Sequence, residues 1–87
     1  MNKRKLLARF IANQKNINYN DFVTLLKAFG FRLDRSEGSH NIFSNDAVSE
    51  RVNVQNKKGE AKPYQINQFL KLIEKYDLKL DSGEEET

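Results

Sequence analysis

The spacing of the apolar residues changes at Gly30, and this change constrains the fold more than any other feature of the chain. Before Gly30, the apolar residues follow the spacing of one helix face: Phe22, Leu25, Leu26 and Phe29. After it, Phe31 and Leu33 alternate with Arg32 and Asp34, which is the period of a strand. Gly30 itself tolerates the left-handed conformation that commonly ends a helix. The sequence therefore predicts a helix followed directly by a strand, and hence a mixed α and β domain.

Further elements are predicted on both sides of this junction. They are a helix at 3–13, a connector at 16–19, strands at 39–44 and 51–55, and a polar, flexible loop at 56–62. Asn20 is placed to cap the second helix, with Asp21 in its first turn. Pro63 suits the first position of the last helix because proline has no amide proton to satisfy there. The apolar stripe of that helix contains Ile66, Phe69, Leu70, Ile73 and Tyr76.

This order of elements predicts an α+β fold in which helices cover one face of a three-stranded antiparallel sheet. The other face is left open, and a ligand can lie there. With 87 residues and 38% hydrophobic content, the chain can bury one small core. We therefore expect a single domain over residues 1–80, with the helix at 3–13 appended to it. Residues 81–87 have little to bury and are expected to form a disordered acidic tail.

The composition excludes several classes of function. The chain has no cysteine and one histidine, so neither a thiolate nucleophile nor a cysteine- or histidine-rich metal site can form, and no cofactor is expected. No apolar run approaches the ~18 residues that span a bilayer. Arg9 interrupts the apolar segment near the amino end, and no small-residue cleavage site follows it. We therefore expect a cytoplasmic protein without a membrane partner.

The basic residues are distributed unevenly along the chain. All fifteen lysines and arginines precede residue 81, together with only eight of the twelve acidic residues. Such a basic body favours an anionic partner, most often nucleic acid, although lysines that merely solvate helix faces explain it equally well. The best candidates for phosphate contacts lie on the first strand and in the loop before the last helix: Arg32, Arg35, Lys57, Lys58 and Lys62. A lysine-rich loop is, however, more often only a solvated turn.

His40 is the first candidate for acid–base chemistry, because histidine has an ordinary pKa of ~6.5. It follows the turn at Gly38, where a side chain can be held firmly and still reach solvent. The alternative is a structural histidine, because strand parity places His40 on the same side as Ile42, which can be the core side.

Two weaker hypotheses concern other residues. The carboxylates near the strand ends form a candidate magnesium site: Asp34, Glu37, Asp46 and Glu50. Loop carboxylates, however, are usually only hydrated. Tyr64 and Tyr76 have the shape to stack on bases, but their helical spacing favours packing.

Several ordered blocks of the sequence, spread over residues 19–78, resemble the HicA family of toxin mRNA interferases. The blocks are 29–31, 35–43, 52–59, and 62–66 with Phe69 and Leu70. The resemblance implies a fold like the double-stranded-RNA-binding domain, metal-independent cleavage of mRNA, arrest of translation and neutralisation by a HicB-type antitoxin. Gly38, Ser39 and His40 match the family's glycine-serine-histidine block. The resemblance thus implies that His40 is the catalytic residue and that Gly38 and Ser39 support it.

The chain departs from the family pattern at two places. Many members have a second histidine where this chain has Asn41, and a proline and a histidine near residues 55–57. The helix at 3–13 also exceeds the minimal family pattern. A non-catalytic RNA-binding module of the same fold is therefore the main alternative, and a pure protein-interaction domain is the second.

Overall fold

The computed structural model describes residues 2–80, and this part of the chain has the predicted α+β architecture. In chain order the elements are α1 (Lys3–Ala12), β1 (Ile17–Asn18), α2 (Tyr19–Ala28), β2 (Arg32–Glu37), β3 (His40–Asn45), β4 (Val48–Gln55), β5 (Glu60–Ala61) and α3 (Pro63–Lys75). Strands β2, β3 and β4 form the predicted three-stranded antiparallel sheet, with β3 in the middle. The acidic tail predicted at 81–87 lies outside the described residues. Within 2–80, none of the helices combines the length and the apolarity that a membrane crossing requires.

One face of the sheet forms the core together with the helices. Phe43 on β3 pairs with Val52 on β4, and both side chains are buried. The ring of Phe69, on α3, contacts the rings of Phe22, Phe29 and Phe31 at centroid distances of 5.4, 5.7 and 6.0 Å. The predicted faces of α2 and α3 are therefore confirmed as core, and α3 begins at Pro63 as expected. Gly30 has the expected left-handed backbone, with φ +90°.

The start of α2 differs from the prediction. Its cap is Asn18, whose side-chain oxygen accepts hydrogen bonds from the backbone N–H groups of Asn20 at 2.8 Å and of Asp21 at 3.2 Å. The expectation that Asn20 caps the helix was wrong. The N–H of Tyr19 donates to the carbonyl of Gly59 at 2.8 Å, so the chain is held extended up to Asn18 and the helix begins immediately after it.

The segments predicted as a connector and as a flexible loop pair with each other. Strand β1, in the predicted connector, pairs antiparallel with β5, in the predicted loop, and Ile17 and Ala61 face each other in the core. Between Lys57 and Glu60 the backbone makes a tight turn closed by two hydrogen bonds, of 2.9 and 3.0 Å. Residues 58 and 59 adopt left-handed backbone conformations there, with φ of +53° and +85°. The lysine-rich segment is therefore an ordered hairpin, which we call the lysine turn (residues 57–60).

Helix α3 buries more than its predicted stripe. Leu72 and Gln65 are also buried, with exposures of 3% and 1%. Tyr76 packs at the edge of the core, as expected. Tyr64 is 64% exposed, so the expectation that it serves packing was wrong. It lies in the first turn of α3, before the helix reaches the core.

Candidate active site

The open face of the sheet carries polar side chains. Successive strand residues point to opposite faces, so the residues that alternate with the buried Phe43, Val52 and Val54 lie on the open face. These residues are Arg32, Arg35 and Glu37 on β2, His40, Ile42 and Ser44 on β3, and Arg51, Asn53 and Gln55 on β4. His40 is exposed, and Ile42 does not pack against the core cluster. The alternative of a buried structural histidine is therefore wrong, because the core side of β3 is the side of Phe43.

His40 is the first residue of β3 and follows a two-residue turn. Gly38 has φ +63°, a conformation that favours glycine, and it occupies the first position of the turn, as in type II′ hairpins. The carbonyl of Ser39 accepts a hydrogen bond from the N–H of Asn56 at 3.2 Å. This bond fixes the turn before His40 to the segment that leads into the lysine turn. Gly38 and Ser39 thus determine where the histidine stands.

The imidazole of His40 has polar neighbours on both adjoining strands. Glu37 and Gln55 lie directly opposite it on β2 and β4. Its Nδ1 lies 3.2 Å from Oδ1 of Asn53, which sits diagonally across from it on β4. Nε2 has no hydrogen-bond partner among the described residues. The ring is therefore held at one nitrogen and open to an incoming group at the other.

The lysine turn places positive charge beside this end of the sheet. Lys57 and Lys58 are exposed and follow the end of β4 by two and three residues. Lys62 precedes the first turn of α3, and it lines a shallow cavity of about 290 Å³ together with Lys57 and Tyr64. The sequence predicted these lysines together as candidates for phosphate contacts. The fold brings two of them together beside an exposed aromatic ring.

The two predicted arginines lie in different places. Arg35 pairs with Ile42 on the open face, next to the histidine end of β3. Arg32 pairs with Ser44, four residues along the strand from His40, a distance of about 13 Å. It makes an ion pair of 2.9 Å with Asp46, and that hydrogen bond raises the pKa of the arginine. Arg32 is thus separated from the histidine, whereas Arg35 is close to it.

The strand-end carboxylates proposed as magnesium ligands do not form a cluster. Asp34, an extra residue that bulges out of β2, makes an ion pair with Arg51 at 3.3 Å. Glu50 accepts hydrogen bonds from Lys75 at 2.7 Å and from Tyr76 at 3.0 Å, and these bonds lower its pKa. In the part of the chain that the structure describes, no three histidine or carboxylate side chains come together in a way that could hold a metal ion. The magnesium hypothesis therefore finds no support in the geometry.

Asn41, where many family members are expected to have a second histidine, points to the face opposite to His40. Its side-chain nitrogen donates to the hydroxyl of Tyr19, and its oxygen accepts from Ser36 at 2.7 Å. Burial raises the pKa of Tyr19, while its bond to Asn41 acts in the opposite direction. Asn41 therefore ties the sheet to α2 and does not contribute to the open face.

Two polar residues of this region were not found by sequence reasoning. Asn53 contacts His40, and Gln65 accepts a hydrogen bond from the backbone of Gln55 at 2.9 Å. Both contacts join residues distant in sequence. The one available signal was the presence of asparagine in the middle of a valine-rich strand, where it is disfavoured.

The chain matches a protein-family model. The family model described as the HicA toxin of bacterial toxin–antitoxin systems matches residues 19–74, which is more than half of the chain. The matched segment contains the whole open face and the lysine turn, whereas α1 precedes it. Neither the curated proteins nor the solved structures contain a match to this chain.

Proposed function

The chain belongs to the HicA toxin family of bacterial toxin–antitoxin systems, and we propose that it acts as an mRNA interferase. In this proposal it is an endoribonuclease that cuts mRNA in the cytoplasm without a metal ion and so arrests translation. The observation that supports it most is the exposed His40 on the open face, beside the lysine turn. A group that can exchange protons near neutral pH is thus placed next to positive charge that can hold a phosphate.

The proposed reaction is a transfer within the RNA backbone. Neutral His40 takes the proton from a ribose 2′-hydroxyl, and the 2′-oxygen then forms a bond to the adjacent phosphorus. The bond from phosphorus to the 5′-oxygen breaks, leaving a 2′,3′-cyclic phosphate on one fragment and a 5′-hydroxyl on the other. Because the chain has one histidine, the leaving oxygen takes its proton from a lysine or from water.

The cationic side chains have separate roles in this proposal. Lys57, Lys58 and Arg35 stand near the histidine end of the sheet and stabilise the charge that grows on the phosphate oxygens. Lys62 lines the same cavity as Lys57 and suits a neighbouring phosphate. Arg32, about 13 Å away along the sheet, can reach only a more distant one.

The proposed enzyme is slow and has little sequence preference. General acid–base help is typically worth ~10²- to 10⁴-fold, and a single imidazole supplies only one of the two proton transfers. The missing second histidine does not weaken the proton abstraction, because Asn41 lies on the opposite face of the sheet, in contact with Tyr19. A few cuts in long messages are enough to stop their translation.

The antitoxin partner is proposed to be a HicB-type protein that covers the open face. The face has polar residues, and the lysine turn beside it adds positive charge. An acidic or wedge-shaped surface is its natural complement, because opposite charges steer association and exclude RNA from the same surface.

The test of this function compares wild type with His40→Ala on an RNA oligonucleotide in the presence of a chelator. We expect His40→Ala to lose cleavage while it keeps RNA affinity and melting temperature, because the imidazole is exposed and has one hydrogen bond. Ser44→Ala, on the same face of the same strand, is the matched control and should cleave normally. RNA methylated at the 2′-oxygen, and DNA, should bind without being cut.

Three results would contradict the proposal. Equal cleavage by wild type and His40→Ala would remove the histidine from the mechanism. Binding without cleavage by the wild type would favour the non-catalytic RNA-binding module. Absence of RNA binding even at low salt, where release of counterions favours it most, would favour the protein-interaction domain.

A further inference from the structure

Asn53 occupies a position where asparagine is unexpected. It lies inside β4 between Val52 and Val54, whose side chains have no exposed surface (0%). Asparagine is among the residues depleted in strands, and its alternation with the valines directs it to the open face. Because both neighbours are fixed in the core, the backbone of Asn53 is a rigid platform for whatever its side chain holds.

The side chain of Asn53 holds the imidazole of His40. The distance of 3.2 Å between Oδ1 and Nδ1 is at the long end of a hydrogen bond. A carboxamide oxygen can only accept, so this contact requires the imidazole proton on Nδ1. A neutral imidazole then has its free lone pair on Nε2, the nitrogen without a partner among residues 2–80. In an unconstrained imidazole the proton favours Nε2, so the contact selects the less common tautomer.

We propose that Asn53 is the positioning residue of this site, holding His40 with its proton on Nδ1 so that Nε2 can receive the proton of a ribose 2′-hydroxyl. The inference rests on the proposed function for its catalytic meaning. Asn53 itself does not touch the reacting atoms. It acts through the orientation and the tautomer of the imidazole, as the partners of functional histidines commonly do.

The charged residues around the imidazole are the same in every variant of the test. Glu37 faces it from β2, Arg35 lies farther along that strand, Arg51 lies two residues before Asn53 on β4, and the lysine turn follows β4. The comparison of Asn53 variants in one background therefore isolates the contribution of position 53.

The first measurement is nitrogen NMR of the imidazole at a pH where it is neutral. Because the chain has one histidine, its two ring-nitrogen signals are unambiguous. In the wild type and in Asn53→Asp, Nδ1 should show the shift of a protonated nitrogen and Nε2 that of an unprotonated one. Asn53→Ala should move the population toward the Nε2–H form. Gln55→Ala is the control, because it removes a neighbouring side chain that makes no hydrogen bond to the ring.

The second measurement is the pH profile of RNA cleavage. Asn53→Ala should lower kcat by about two- to tenfold, the value of one net hydrogen bond, with KM unchanged. Asn53→Asp should restore kcat and move the acid limb of the profile to higher pH. The sign follows because a carboxylate stabilises the protonated imidazole, so a higher pH is needed to produce the neutral base.

The outcomes separate this inference from the proposed function. A wild-type imidazole with its proton on Nε2 would overturn the inference, because the amide would then donate to Nδ1 through its nitrogen. Identical spectra for wild type and Asn53→Ala would also overturn it, whether or not the protein cuts RNA. A protein that shows the Nδ1–H form but does not cut RNA would instead refute the proposed function and, with it, the catalytic role of Asn53.

Discussion

Gln65 is the buried polar side chain whose replacement tests how α3 is fixed to the sheet. It is 1% exposed, and its Oε1 accepts a hydrogen bond from the backbone N–H of Gln55 at 2.9 Å. Gln55 and His40 face each other across β4 and β3, but their backbones do not hydrogen-bond to each other. The neighbouring hydrogen bond runs instead from the N–H of Asn56 to the carbonyl of Ser39, which is the pattern of a non-hydrogen-bonded pair. The N–H of Gln55 therefore points away from β3, and Gln65 replaces the missing strand partner.

The structure sets the size of the effect of Gln65→Ala. A half-buried donor left without its acceptor costs about 1–3 kcal/mol, and the void left by the amide adds to this loss. We expect the free energy of unfolding to fall by about 2–4 kcal/mol. For a chain of this length, the melting temperature should fall by roughly 8 °C or more. Gln65→Met refills the void without an acceptor, so its stability should lie between those of wild type and Gln65→Ala.

The assay is urea unfolding followed by circular dichroism, with Gln68→Ala as the control. Gln68 lies on the exposed side of the same helix, so its replacement has the same effect on helix propensity and should change stability by no more than about 0.5 kcal/mol. If Gln65→Ala is no more destabilising than Gln68→Ala, the bond to Gln55 does not hold α3 against the sheet and the reasoning fails.

Two further predictions concern acid stability and the start of α2. The bonds from Lys75 and Tyr76 lower the pKa of Glu50 in the folded state. The stability that these bonds contribute is therefore present above the unfolded pKa of ~4.3, and it is lost as the pH falls through the lower folded pKa. In urea unfolding across this pH range, the advantage of wild type over Glu50→Gln should shrink toward acid, and a constant difference would contradict the ion pair. For the helix start, Asn18→Ala should lower stability by about 1 kcal/mol and Asn20→Ala by clearly less, as measured by thermal unfolding; the reverse order would restore the cap predicted from sequence.

The sequence predicted the elements whose periodicity is imposed by the core. Helix faces such as the one that carries Phe22 are visible because every residue of the stripe must contact the same core. The pairing of β1 with β5 was missed because two residues cannot show a period. Its cause is a contact between Ile17 and Ala61, which are far apart in the sequence. The same contact changed the cap of α2 and ordered the lysine turn.

The candidate site was predicted in its chemistry but not in its geometry. His40 could be singled out because histidine is the side chain that titrates near neutral pH. Its face could not be assigned, because Ile42 and Phe43 are adjacent and both apolar, and either can point to the core. The register decides the question by placing Phe43 opposite Val52. Asn53 was not singled out because its role depends on a contact with His40 on the neighbouring strand, which the sequence does not show.

Helix α1 has a structural role that its position outside the family match does not suggest. Leu6 and Phe10 are 1% and 0% exposed and belong to the same core cluster as the sheet. The ring of Phe10 meets that of Phe22 edge to face, with centroids 6.0 Å apart. Burying two such side chains contributes about 1.5–3 kcal/mol each, a large part of the stability of a small domain. Because α1 packs on α2, on the covered side of the sheet, it supports the core without occupying the open face around His40.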